Sequence, residues 1–223
     1  AEGVCPPWAV LAITFTNKAA REIKERLAKA LDDPTAADAV WAGTFHSVCM
    51  RILRSHIGLL GYKPGFSIYD TDDQKKAIAR CMKDMNLDDK KFPPKSMLNM
   101  IGRAKDRLMT PKDMQEENTA DYLWSVAAKV YARYQEELVQ ANALDFDDII
   151  MLTVRLFEEN PDILEYYQHK FKHVCVDEYQ DTNYAQFRLT EMLAGHWRNI
   201  MVVGDDDQSI YKFRGATIEN ILN

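Results

Sequence analysis

The chain has 223 residues, 47% of them hydrophobic and 28% charged, an ordinary balance for a globular protein with room for one large domain or two small ones. No stretch approaches the roughly 20 apolar residues of a membrane-spanning helix, and Ala1 to Pro7 lacks the basic-then-apolar pattern of a signal peptide. The net charge of −6 excludes a uniformly basic nucleic-acid-binding chain, but the acidity is local: residues 145–191 carry 11 acidic and 4 basic side chains, which suits either a metal-nucleotide site or a solvated acidic face.

In chain order, Ala9 to Phe15 is a short apolar run expected to form a strand buried on both faces. Asn17 to Leu31 switches to helical period, with Ala19, Ile23, Leu27 and Leu31 on one face. Val40 to Phe45 reads as a second buried strand, and a helix follows through Val48, Ile52 and Leu53. Thr71 and Gln74 have the spacing of a helix-capping box. Helices are then predicted around Ala77–Met85, Met97–Leu108 and Tyr122–Leu138, with a loop at Lys90 to Lys95. Residues 70–143 carry no strand signal and look like a helical insertion. After it come a helix at Asp147 to Phe157 and another opened by Asn160-Pro161, with Asn as the cap. His173 to Val176 is a strand, Asn183 to Leu193 a helix, and Ile200 to Val203 a strand. The alternation predicts a parallel α/β sheet interrupted by helices. Cys5, Cys49, Cys81 and Cys175 are scattered, with no CxxC pair, and read as thiols in a reducing cytoplasm.

Ligands of parallel α/β sheets bind beyond the carboxyl ends of the strands. Asp177 and Glu178 lie at such an end. Adjacent carboxylates there can divide the work of ATP hydrolysis: Asp177 as a ligand of Mg²⁺, Glu178 as the group that orients and deprotonates the attacking water. An acidic loop or a helix cap is the plainer alternative. The next strand ends in Gly204-Asp205-Asp206-Asp207-Gln208, where Gln208 has the reach to sense a terminal phosphate. Tyr211 and Phe213 alternate with Lys212 and Arg214, the composition of a single-strand stacking platform, although the same alternation fits core residues of a short strand. The Asp triplet lacks the spacing and closing Glu of a Ca²⁺ loop. Thr14 to Lys18 and Thr44 to Ser47 stand where a strand gives way to a helix, a place that suits either a phosphate or simple N-capping.

Taken together, these segments resemble the UvrD/PcrA/Rep family of superfamily-one DNA helicases over essentially the whole chain. Leu11 to Ile23 is similar to the family's motif Ia, Gly43 to Arg54 to motif Ib, Val176 to Asn183 to motif II and Val202 to Ala216 to motif III. Leu144 to Ile150 is similar to the segment that re-enters the motor domain. The resemblance implies a RecA-like parallel sheet flanked by helices and interrupted by an all-helical subdomain. It places 1–69 and 144–223 in motor domain 1A and 70–143 in subdomain 1B. It implies ATP and Mg²⁺, with Asp177 on the metal, Glu178 on the water and Gln208 on the γ-phosphate. It implies a DNA-binding set of Phe15, Thr16, Asn17, Thr44, His46, Tyr211 and Phe213, with Arg214 supporting the last loop; Phe213 stands where many members carry Trp. The implied activity is 3′-to-5′ movement on single-stranded DNA and unwinding at single/double-strand junctions, in repair or replication, beside other proteins of those processes, in the bacterial cytosol and nucleoid.

The family's phosphate-binding loop, GxxxxGK[ST], occurs nowhere in the chain. The chain is therefore expected to be an internal piece of a longer motor and nearly inactive alone. A non-catalytic nucleic-acid-binding module that kept the fold is the rival expectation; the presence of Asp177, Glu178 and Gln208 speaks against it.

Overall fold

The computed structural model describes residues 5–117 and 121–205. The chain divides into two compact units, one made of residues up to Ser55 together with those from Leu152 onward, the other of His56–Met151.

The first unit is built on a four-stranded sheet. Its elements begin with β1 (Val10–Thr14), α1 (Asn17–Leu31), α2 (Pro34–Ala39), β2 (Trp41–Thr44) and α3 (Phe45–His56). The strand expected to reach Phe45 ends one residue earlier, because Phe45 opens α3 directly. Thr16 caps α1, its hydroxyl accepting from Ala19 N at 3.1 Å, and Asp32 closes it in the left-handed conformation at φ 49°. The short α2 has no apolar period of its own and rests on Asp33, whose Oδ1 accepts from Thr35 N and Ala36 N.

The second unit contains β3 (Ser67–Ile68), α4 (Thr71–Asp84), α5 (Pro94–Asp106), α6 (Pro111–Glu117), α7 (Tyr122–Gln140) and β4 (Ala143–Leu144). The strands β3 and β4 pair in parallel, Ser67 beside Ala143 and Ile68 beside Leu144. The capping box sits one residue earlier than the sequence suggested. Asp70 accepts from Asp72 N and Asp73 N, both at 2.8 Å, and Gln74 instead donates to Tyr69 O. A carboxylate outcompetes a hydroxyl for the positive end of a helix. The core of the unit gathers Ile78, Met97, Ile101, Val130, Tyr134 and Leu138 from α4, α5 and α7. Within it Lys105 is buried and bridges Asp145 and Asp148, at 2.6 and 2.8 Å.

The chain continues through α8 (Phe146–Glu159), α9 (Pro161–Lys170), β5 (His173–Val176), α10 (Tyr184–Ala194) and β6 (Ile200–Val202). Asn160 occupies the cap position of α9, but its side chain donates back to Leu156 O at 2.9 Å and makes no cap bond. Asn183 does cap α10, in a reciprocal box with Gln186.

The sheet order is β2-β1-β5-β6, and every pair is parallel. β1 buries Leu11 to Thr14, as a strand covered on both faces must, whereas in β5 only the alternate residues Val174 and Val176 are buried. α1 packs along β1 and β2, and α10 along β5. At the β2 edge the Trp41 ring lies between two cations, with Arg51 Cζ 3.7 Å and Lys170 Nζ 4.3 Å from its centroid. At the other edge Ile200, Met201 and Val202 of β6 are exposed. All four cysteines are free thiols; burial pushes Cys49 and Cys81 up to about 12, so neither is a ready nucleophile.

Candidate active site at the carboxyl edge of the sheet

Four parallel strands place their carboxyl ends along one edge, and the order of the sheet decides which sequence segments meet there. Thr14 stands in register with Thr44, so the segments after β1 and β2 are neighbours. On the other side of β1, Ile13 pairs with Val176, and Asp177 N donates to Ile13 O at 2.9 Å. β5 in turn lies beside β6, where Val176 pairs with Val202. The chain leaves β1 towards β2, yet β5 returns on the opposite side. The gap between β1 and β5 is thus a topological switch point, where open α/β sheets open a crevice for ligands.

Asp177 is half-buried and Glu178 exposed, at the carboxyl end of β5 beside that switch point. Glu178 holds a left-handed backbone, φ 54° and ψ 41°, unusual for a residue with a side chain. Asp177 Oδ1 accepts from Glu178 N at 3.0 Å and helps to fix that conformation. A 3₁₀ turn, Tyr179–Asp181, follows immediately and leads through Thr182 to the α10 cap.

Gln180 was not assigned a role from the sequence, and its position is informative. It is 1% exposed. Its Nε2 donates to Glu178 Oε2 at 2.6 Å, and its Oε1 accepts from Asp205 N at 3.0 Å. The backbone joins the same two strand ends: Val203 N donates to Val176 O at 2.8 Å and Tyr179 N to Val203 O at 2.9 Å. Gly204 makes the approach possible, since a Cβ there would stand 2.5 Å from Gln180 Oε1. The only advance sign of this contact was a Gln two residues after the carboxylate.

At the β1 and β2 ends the hydroxyls serve local structure. Besides the Thr16 cap, Thr44 Oγ1 accepts from Ser47 N at 3.2 Å, and Ser47 Oγ donates to Thr44 O at 2.9 Å. Phe15 is half-buried and meets Phe45 edge-on, with ring centroids 5.5 Å apart. Asn17 is exposed and His46 half-buried. Phe15, Thr16, Asn17, Thr44 and His46 therefore share one stretch of the carboxyl edge, next to the end of β5 that carries Asp177 and Glu178. Gln208, Tyr211, Phe213 and Arg214 lie outside the described residues.

The fold and edge put this chain in the class of parallel α/β proteins that carry their polar chemistry at the carboxyl ends of the strands. The UvrD/REP helicase N-terminal domain matches residues 1–223, and the chain belongs to that family. The RecA-like architecture implied by the motifs agrees with the parallel sheet and its flanking helices. The chain is 52% identical over 217 residues to the ATP-dependent DNA helicase PcrA of Staphylococcus aureus (strain Mu50), a match covering 97% of this chain and 29% of that protein. It is 50% identical over 223 residues to PcrA of Bacillus subtilis (strain 168), covering all of this chain and 30% of that protein. PcrA of Staphylococcus epidermidis is 48% identical over 217 residues. The chain thus spans less than a third of the length of these relatives.

Proposed function

We propose that this chain is the first motor segment of an ATP-driven DNA helicase, in which Asp177 and Glu178 form the hydrolytic half of the nucleotide site. The observation that carries the proposal is the locked Asp177–Glu178 pair at the β1–β5 switch point, on the sheet edge that also carries the β1 and β2 segments. In this reading residues 1–69 and 144–223 build motor domain 1A, and 70–143 form insertion 1B.

Among the described residues no cluster of three or more His, Cys, Asp or Glu could hold a metal ion by itself. Mg²⁺ is commonly held by one or two carboxylates together with substrate phosphates. Asp177 offers a half-buried hard oxygen donor of that kind. Mg²⁺ held there would supply charge neutralisation at the phosphate oxygens. Glu178 orients a water and takes its proton as the water oxygen bonds to the γ-phosphorus, the bond from that phosphorus to the β-phosphate oxygen breaks, and ADP and phosphate are released. Gln208 reads the phosphate. Phe15, Thr16, Asn17, Thr44 and His46, with Tyr211 and Phe213, contact single-stranded DNA, and Arg214 supports the last two. Closure on ATP then moves the protein along single-stranded DNA, 3′ to 5′, and opens duplex at junctions during repair or replication in the bacterial cytosol.

The test uses the whole protein with a duplex bearing a 3′ single-stranded tail. Strand separation is expected with ATP and Mg²⁺, and its loss with EDTA. DNA binding with neither ATP turnover nor strand separation would instead mark a non-catalytic binding module.

A further inference from the structure

We infer that Gln180 is a positioning residue that ties the water-activating carboxylate to the end of β6, so that residues 203–205 and the general base move as one body. The inference rests on the function proposed above and adds a part to it.

Three observations lead to it. First, Glu178 is exposed and follows a strand of only four residues, so its own surroundings do little to hold its carboxylate. Second, a buried side chain, that of Gln180, donates to that carboxylate in a short charge-assisted bond of 2.6 Å. Third, the other end of the same amide is occupied by Asp205 N at 3.0 Å. A buried Gln needs partners for its amide, and any backbone groups would satisfy it. Here the two partners are the carboxylate at the end of β5 and the first backbone N–H after Gly204, just beyond the end of the neighbouring strand. The geometry makes Gln180 a strut between two strand ends. Gly204 is the matching half of the joint, because a side chain there would occupy the place of Gln180 Oε1.

A strut of this kind has a kinetic signature. It holds the base without touching nucleotide, so its loss lowers turnover and leaves ATP affinity alone. The test measures DNA-stimulated ATP turnover of the whole protein, its KM for ATP, and binding of a fluorescent ATP analogue. The variants are Gln180→Met, Gly204→Ala, Glu178→Gln and the double variant Glu178→Gln/Gln180→Met. Gln180→Met is expected to lower kcat by about 10-fold or more, the scale of a misplaced catalytic group, with KM and analogue affinity unchanged. Gly204→Ala, which attacks the same joint from the other side, is expected to give the same split. The double variant is expected to be no slower than Glu178→Gln alone, since the strut acts only through that carboxylate. Full kcat in Gln180→Met and Gly204→Ala overturns the inference. So does a parallel loss of analogue binding and thermal stability, which makes Gln180 a purely structural residue. Full turnover in Glu178→Gln is a different failure and sinks the proposed function itself.

Discussion

At the scale of single residues, the site is a set of short bonds around one strained backbone position. Glu178 stays left-handed because Asp177 Oδ1 holds its N–H and the 3₁₀ turn begins at the next residue. Asn183 closes the same segment through its reciprocal box with Gln186. Replacing Asn183 with Ala removes the side-chain acceptor for Gln186 N and is expected to destabilise the protein by about 1 kcal/mol, the usual cost of losing a helix cap, read from urea denaturation. Asp177 and Glu178 were legible in the sequence because an apolar strand followed by two acids is a local pattern. Gln180 and Gly204 were not, because their roles depend on β6 lying beside β5, and that adjacency is a tertiary fact. The misplaced box at Thr71 has a local cause instead: spacing finds a cap, but the adjacent Asp70 is the better acceptor and takes the position.

At the scale of elements, the helical unit is held by a buried charge cluster that hydrophobic periodicity could not reveal. Burial pulls the Lys105 amine down, but the carboxylates of Asp145 and Asp148 outweigh it and hold the ammonium well above the ordinary lysine range. Lys105→Met strands two buried carboxylates and is expected to cost about 3–5 kcal/mol in urea denaturation, the scale seen when one partner of a buried pair is removed. A cost near zero would mean that the carboxylates escape to water or take up protons. The neighbouring Asp147 adds a pH dependence. Burial, and then the charge of Asp145, push its carboxyl up to about 6. The folded protein thus binds this proton more tightly than the unfolded chain. The stability from this group is fully present below about pH 4 and is lost as pH rises through about 6. Asp148 beside it is pushed up in the same direction, so Asp147→Asn removes part of the effect, and the variant is expected to gain stability relative to the unsubstituted protein between pH 4 and 7. An unchanged difference across that range would contradict the assignment. Long amphipathic helices such as α1 and α7 were readable from their period. The short α2 and α6, stabilised by Asp33 and by Thr110 with Asp113, were not.

At the scale of the whole molecule, the sheet order matters more than any one strand. Four segments far apart in sequence reach one edge because all four strands run the same way. That order brings the ends of β1 and β2 beside the end of β5 that carries Asp177 and Glu178. The sequence could suggest strands and their ends, but not the order β2-β1-β5-β6. A polypeptide of these 223 residues, which has no GxxxxGK[ST] loop, is expected to turn over ATP at close to background with or without single-stranded DNA. Robust DNA-stimulated turnover by it would mean that another segment grips the phosphates. The most direct test of the central claim is ATP turnover by the whole protein carrying Glu178→Gln, with single-stranded DNA present. If Glu178 is the base that activates water, kcat falls by about 100-fold or more while Mg-ATP still binds. Turnover at the unsubstituted rate would show that the carboxylate at the end of β5 is not the catalytic base.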